Sequence, residues 1–234
     1  MKIKAQNMEI EAQGQFNIGY EFAEEEIREV LSPEYIEFLK EAGYVDLDKT
    51  PNLFVAAKLL RMDDKVRDAC NASGIITDIY SPNQEVNYIN WEQGRKLINH
   101  LGGKLLTEAL MYQLIIPSLK KESNSQAKKT LYEMVEKCAE LMEDEIFNRR
   151  KLKIGKSYRN LEQLPRSGYF DSSDLNEFGY PKVTKESGEF CLYNDLGLER
   201  VAVVRIWGPE LSLFLNWSPT YMDSKLGIRF AKFF

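Results

Sequence analysis

The stretch "LGGKLLTEALMY", residues 101–112, joins two runs of helical periodicity through a tight corner. Leu101 closes the first run, Gly102 offers the positive φ that ends a helix, and residues 103–106 cross over. Thr107 is placed to cap the second run, Glu108 sits in its first turn, and an apolar helix follows from Ala109 to about Pro117. The corner holds no reactive group, and each of its residues has a structural task.

Upstream, Asn90-Trp91-Glu92-Gln93 has the spacing of a capping box. Trp91, Gly94, Leu97, Ile98 and Leu101 then recur as the buried stripe of one helix. "IITDIY" (75–80) and "VNYI" (86–89) read as strands turning at Ser81-Pro82-Asn83. "SPEYIEFLKEAG" predicts a short helix with Ser32 as cap, Pro33 in the first position and Gly43 as stop. The same grammar at "TPNLFVAAKLL" predicts another helix, capped by Thr50 and begun by Pro51. Residues 8–20, with Gly14 and Gly19, predict an opening strand or hairpin.

Downstream, "KKESNSQAKK" is a polar loop. It feeds a predicted long amphipathic helix with Ala127, Leu131, Met134, Val135, Cys138, Leu141, Met142 and Ile146 on one face. The basic run from Arg149 to Arg159 is expected to be the solvated end of that helix. Residues 160–200 are loop-rich. "RVAVVRIW" and "LGIRFAKFF" read as strands, with "GPELSLFLNWSPTYMDSK" between them.

A net charge of −5 and a pI near 5.2 argue against a nucleic-acid or anionic-membrane partner. The first residues carry no apolar signal region, and no run approaches the roughly 18 apolar residues of a membrane span. The expectation is a cytoplasmic or virion-associated protein without membrane insertion. Cys70, Cys138 and Cys191 are far apart and lack C-x-x-C spacing, so neither a disulfide framework nor a zinc site is signalled. His100, the one histidine, falls where a helix end suits it, and Cys191 in "EFCLY" reads as a buried thiol. Asp171, Asp174, Glu177 and Asp195 suit a hard cation but lack calcium-loop spacing. The residues therefore predict no catalytic group, no metal and no cofactor.

Taken in order, Trp91-Glu92, Gly102-Gly103-Lys104-Leu105, Thr107-Glu108-Ala109, Tyr112, Val204-Arg205, Trp207 and Leu226-Gly227-Ile228-Arg229 form a recurring pattern. It resembles the formylglycine-generating-enzyme branch of the C-type lectin fold, whose members carry a G-G-R-L-P-T-E-A-E-W-E-Y corner and a terminal G-F-R-L strand. The resemblance implies one α+β domain over 1–234, a twisted, mostly antiparallel sheet with packed helices, and a poorly matching insert at about 118–190. Leu106 stands where the family has proline, and Leu110-Met111 where it has Glu-Trp. Residues 192–234 lack the cysteine pair of the family's oxidase, and a single histidine does not match its iron-dependent cousins.

An enzyme scaffold without those groups is similar to the variable proteins of diversity-generating retroelements, which display a rewritten C-terminal stretch on this fold. That resemblance implies a non-enzymatic, ligand-binding protein whose variable stretch spans 207–225 and whose ligand is a protein or cell-surface molecule. Its expected contact residues are Trp207, Glu210, Ser212, Phe214, Asn216, Trp217, Ser218, Thr220, Tyr221, Met222, Asp223 and Ser224. Asn216, Ser218, Tyr221, Asp223 and Ser224 are reachable from an AAY codon by adenine changes, and the Trp, Tyr, Ser and Asn content is paratope-like. Val201–Ile206 and Gly227–Phe233 are expected to hold the ends of the stretch in neighbouring strands. The rivals are a divergent metal-dependent oxidase or hydroxylase of the same fold, and an invariant structural or virion protein.

Overall fold

The computed structural model describes residues 33–42, 53–75, 85–111, 139–194, 199–207 and 210–233. Within them lie helices α1 (Pro33–Glu41), α2 (Asp64–Ala72) and α3 (Trp91–His100). The strands are β1 (Leu53–Leu59), β2 (Ala139–Phe147), β3 (Lys151–Ile154), β4 (Ser157–Asn160), β5 (Gly168–Phe170), β6 (Phe190–Tyr193), β7 (Glu199–Trp207), β8 (Glu210–Trp217), β9 (Leu226–Gly227) and β10 (Arg229–Phe233). The large sheet runs β4-β3-β2-β7-β8-β6-β5, with β9 beside β2, and β1 pairs with β10 in a separate ribbon. All pairs are antiparallel except β6 with β8 and β2 with β9. The protein is mixed α/β, built on a mostly antiparallel sheet with a few helices.

Apolar cores cover both faces of the sheet. Val201 and Val203 of β7 enter a core with Trp91, Leu97 and Ile98 of α3. Ala202 and Val204 point the opposite way, into a core with Phe38 of α1, Phe170 and Tyr180. Alternate residues of a strand face opposite sides, so "VAVV" is apolar throughout because neither side meets water.

The corner at 101–112 connects the two cores. Leu101 and Leu105 belong to the first, Leu106, Ala109, Leu110 and Met111 to the second. The capping box is formed: Asn90 Oδ1 accepts from the Gln93 N–H, and Gln93 Oε1 accepts from the Asn90 N–H. Gly102 has φ +79°, and a β-carbon on Gly103 would lie 2.9 Å from the Ala231 carbonyl oxygen. That close approach lets Lys104 exchange two backbone hydrogen bonds with Ala231 of β10, tying the corner to the chain's last strand.

β2 overturns the predicted amphipathic helix over its last nine residues. Residues 139–146 are all buried, because β2 lies inside the sheet between β7 and β3. Glu, Leu, Met and Ala favour helix locally, yet two strand partners and two apolar faces outweigh a propensity worth tenths of a kcal/mol per residue. A helix would have left Glu140, Glu143, Asp144 and Glu145 in water, whereas here each is buried. Glu143 binds Arg95 at 2.9 Å and Glu145 binds Lys153 at 2.9 Å. Glu140 accepts from Nε of Arg229 at 3.0 Å and also from Nη2, while Arg229 Nη1 donates to the Ala56 carbonyl at 2.8 Å.

Three residues of β2, Met142 to Asp144, oppose the single Ala202 of β7 in a wide bulge. Polar groups freed there receive the corner. The Met142 carbonyl accepts the Trp91 indole N–H at 2.8 Å, and the Glu143 N–H donates to the Leu106 carbonyl at 2.8 Å. The Asp144 carboxylate accepts the Glu108 N–H at 2.7 Å and the Tyr180 hydroxyl at 2.6 Å.

Three further expectations are corrected. "LFVAAKL" is strand β1, not helix, because β10 supplies an antiparallel partner from Leu53↔Phe233 to Leu59↔Arg229. The basic run is no helix end: Asn148 and Arg149 adopt positive φ in a turn, and β3 and β4 form a hairpin beyond it. "VNYI" makes one isolated bridge, Asn87 with Gly227, rather than a strand, and Glu85 just before it bridges Arg61. Ser32, Gly43, Thr50, Pro51 and residues 8–20, 76–84 and 112–138 lie outside the described residues.

Removing one partner of a buried ion pair strands the other charge. Glu140→Gln or Arg229→Met is therefore expected to cost about 3–5 kcal/mol in urea unfolding, and the paired apolar replacement clearly less than the sum. Asp144 gives a second test. Burial raises its pKa to about 7, against the hydrogen bonds from Tyr180 and Glu108 that lower it, with the Glu143 charge adding to the rise. The folded chain then holds this proton more tightly than the unfolded one. The stabilisation is fully present below the ordinary value of 3.8 and is lost as pH rises through about 7. Between pH 4 and 7 the wild type should lose stability relative to Asp144→Asn, whose difference from wild type in urea midpoint should level off above that range.

Candidate ligand-binding surface

The stretch 207–225 divides into a strand and a loop. β8 fills 210–217 between β7 and β6, so it is part of the sheet. Leu211, Leu213 and Leu215 face the core that contains Phe170 and Tyr180. Ser212 is only 2% exposed and sits among strands, unlike the surface contact expected of it. Trp207 ends β7 and Glu210 opens β8, the two paired in antiparallel register.

A second bulge assembles the aromatic groups. Between Val201↔Trp217 and Val203↔Phe214, β8 carries one residue more than β7. Strict alternation would put Phe214 and Trp217 on opposite faces; the extra residue turns Trp217 onto the face of Phe214. Both then pack against the α3-side core. Their rings meet edge to face at 6.1 Å, and Trp217 meets Tyr221 likewise at 5.0 Å. Tyr193 of β6, in parallel register with Phe214, stacks on that ring at 4.6 Å with 9° between planes. Tyr193 and Tyr221 are 40% and 49% exposed, so the ridge of four rings surfaces at both ends. The Trp217 indole N–H is buried and finds no acceptor among the described residues.

The loop 218–225 is held by its main chain. The Pro219 carbonyl accepts the Trp91 N–H at 3.1 Å, and the Asp223 carbonyl accepts from Tyr88 at 3.1 Å. The Lys225 carbonyl accepts from Ala139 at 3.1 Å. Inside the loop, Asp223 Oδ1 accepts the Lys225 N–H at 2.8 Å, and the Ser218 and Thr220 hydroxyls are 3.0 Å apart. Asn216, Thr220, Tyr221, Met222 and Ser224 are exposed, with Ser218 and Asp223 half-buried. Exposed Tyr88, at φ 54°, adjoins this loop through its bond to Asp223.

The expected flanks need correction. β7 is not the neighbour of the terminal strand: it lies between β2 and β8, while β9 pairs with β2 and β10 with β1. Tyr193 and Tyr88 are the residues that the sequence did not single out. "FCLY" has a strand's alternation with an outward tyrosine, but no local signal sets β6 parallel to β8.

The chain matches no family model, no curated protein and no solved structure.

Elsewhere, His100 is exposed at the end of α3, and Cys191 is buried in β6 opposite Ser212. Burial pushes the Cys70 thiol up to about 11, which keeps it protonated and unreactive. Asp171 and Asp174 converge on the Lys185 ammonium at 2.9 and 2.7 Å; these bonds hold both carboxyls below their usual range. Asp195 lies outside the described residues. Among the described residues no three His, Cys, Asp or Glu side chains are grouped to hold a metal ion, and no helix is long and apolar enough to cross a membrane.

What the ridge and loop offer chemically is apolar area with hydroxyl, amide and carboxylate groups around it, the makeup of a contact surface. Substitutions at Thr220, Met222 and Ser224 should leave urea stability within about 0.5 kcal/mol of wild type, since none of these side chains enters a core. Leu213→Ala and Leu215→Ala in the same stretch should cost about 2–5 kcal/mol. Equal losses in the two groups would show that the loop side chains carry the fold.

Proposed function

We propose that this chain is a non-enzymatic binding protein with a C-type lectin fold of the formylglycine-generating-enzyme branch. In this proposal a retroelement diversifies the surface within 207–225, and a protein or cell-surface molecule is the ligand. One observation carries the proposal: the main chain of 218–225 is fixed by hydrogen bonds to Tyr88, Trp91 and Ala139, while most of its side chains point outward. Side chains there can change without moving the backbone, which a rewritable contact surface requires.

The fold assignment draws on the ordered motifs and their places. Trp91-Glu92 opens α3, the 102–109 corner docks on the β2 bulge, Val204-Arg205 lies in β7, and Arg229 starts the last strand. Binding would centre on Trp217 and Phe214, with Tyr193 and Tyr221 at the ends of the ridge. Aromatic rings give area at low conformational-entropy cost, and the surrounding Asn216, Ser218, Thr220 and Ser224 adapt their hydrogen bonds. Ser212, enclosed in the sheet, belongs to the frame instead.

Sequencing the gene in many sibling genomes tests this directly. Substitutions should concentrate at adenines of codons 216–224, sparing Leu211, Leu213, Leu215 and residues 86–112. A C-terminal stretch no more variable than residues 86–112 would sink the retroelement proposal.

A further inference from the structure

The second feature of note lies at the far end of the sheet from the aromatic ridge. Residues 149–166 hold seven basic residues and one acidic, while the rest of the chain holds 24 basic and 35 acidic. Two of these cations are neutralised locally: Lys153 by Glu145, and Arg159 by Glu41 of α1. Arg149, Arg150, Lys151, Lys156 and Arg166 have no carboxylate partner among the described residues. In an acidic protein, that concentration on one hairpin calls for an anionic partner or another purpose.

Among the described residues the same hairpin presents an open edge: β4 is the last strand of the sheet, and β3 is its one strand partner. The Leu161 N–H donates to the Arg150 carbonyl at 2.7 Å, and the register continues as Leu152↔Arg159 and Ile154↔Ser157. Hydrogen-bonded pairs alternate along an antiparallel ladder, so 150/161, 152/159 and 154/157 face one another. The N–H and C=O groups of Tyr158 and Asn160 therefore point away from β3. Both residues are exposed, and the Lys151 and Lys153 ammonium groups lie 4.5 and 5.6 Å from the Tyr158 ring centroid.

We propose that the outer edge of β4 is a docking site for an extended, acidic polypeptide segment of a partner protein. The segment adds one strand to the sheet through the outward groups of Tyr158 and Asn160. Carboxylates at every second position share one face of such a strand, where Lys151 and the turn residue Lys156 meet them. Nucleic acid fits less well. It has no alternating N–H and C=O groups to pair with the edge, and the hairpin's one exposed ring already carries two ammonium groups rather than a free stacking face. A long polyanion would also meet the acidic remainder of the chain.

The test is fluorescence anisotropy at low salt, with a labelled octapeptide of alternating Thr and Glu, its Thr-Lys counterpart, and single-stranded oligothymidylate. The Thr-Glu peptide should bind saturably and the Thr-Lys peptide should not. Reversing Lys151→Glu with Lys156→Glu should weaken the acidic peptide about tenfold or more, or about 1.4 kcal/mol. Tyr158→Pro removes an outward N–H without removing a bond to β3, and should weaken it similarly while leaving the melting temperature nearly unchanged. Should that variant unfold, Asn160→Pro serves the same purpose. No saturable binding of the Thr-Glu peptide would overturn the proposal and leave the lysines as guards against edge-to-edge pairing. Equal binding of oligothymidylate, with neither proline variant changing the peptide's affinity, would overturn it in favour of general polyanion attraction.

Discussion

The burial of four carboxylates on one interior strand is the constraint on which this structure depends. A carboxyl group is tolerated in a protein interior only if partners replace its water. Each acid of β2 therefore dictates what lies beside it. Glu140 holds the guanidinium of Arg229, which in turn reaches the Ala56 carbonyl in β1, so one ion pair links the sheet to the terminal ribbon. Glu143 holds Arg95 of α3, and Asp144 holds both the corner and Tyr180. Helix, corner, loop and last strand are all positioned from one strand of nine residues. Apolar packing alone is less directional; these ion pairs and hydrogen bonds set the register of the elements that pack.

The bulges give the sheet its two kinds of surface. In β2 the bulge turns polar main chain towards the corner and makes the interior continuous. In β8 a bulge turns Trp217 onto the face of Phe214 and starts the aromatic ridge. A regular ladder would do neither, because strict alternation fixes which face each side chain takes. The candidate surface thus follows from a local irregularity inside a strand as much as from the loop that follows it.

This division also explains where sequence patterns mislead. "AELMEDEIF" and "LFVAAKL" contain good helix formers at helical spacing, and neither shows the partner strand that makes it extended. The basic run after Phe147 reads as a helix end only if the segment before it is a helix, and that segment is β2. Where the signal is local, the structure carries it. The capping box at Asn90, the stop at Gly102 and the cap at Thr107 all depend on groups within a few residues of one another.

From the sequence alone came the corner, α1 and α3, the strand character of 201–206 and of the chain's end, and the aromatic and small polar content of 207–225. These are properties of short windows, set by side-chain period, capping chemistry and composition. Only the tertiary structure decided that residues 139–147 are an interior strand, that Ser212 is enclosed while Tyr221 is exposed, and that Tyr193 joins the ridge. The strand outcomes among these depend on partners distant in sequence: β7 for β2, and β6 and β8 for each other. The physical reason is that a strand's hydrogen bonds are completed by another segment, whereas a helix completes its own.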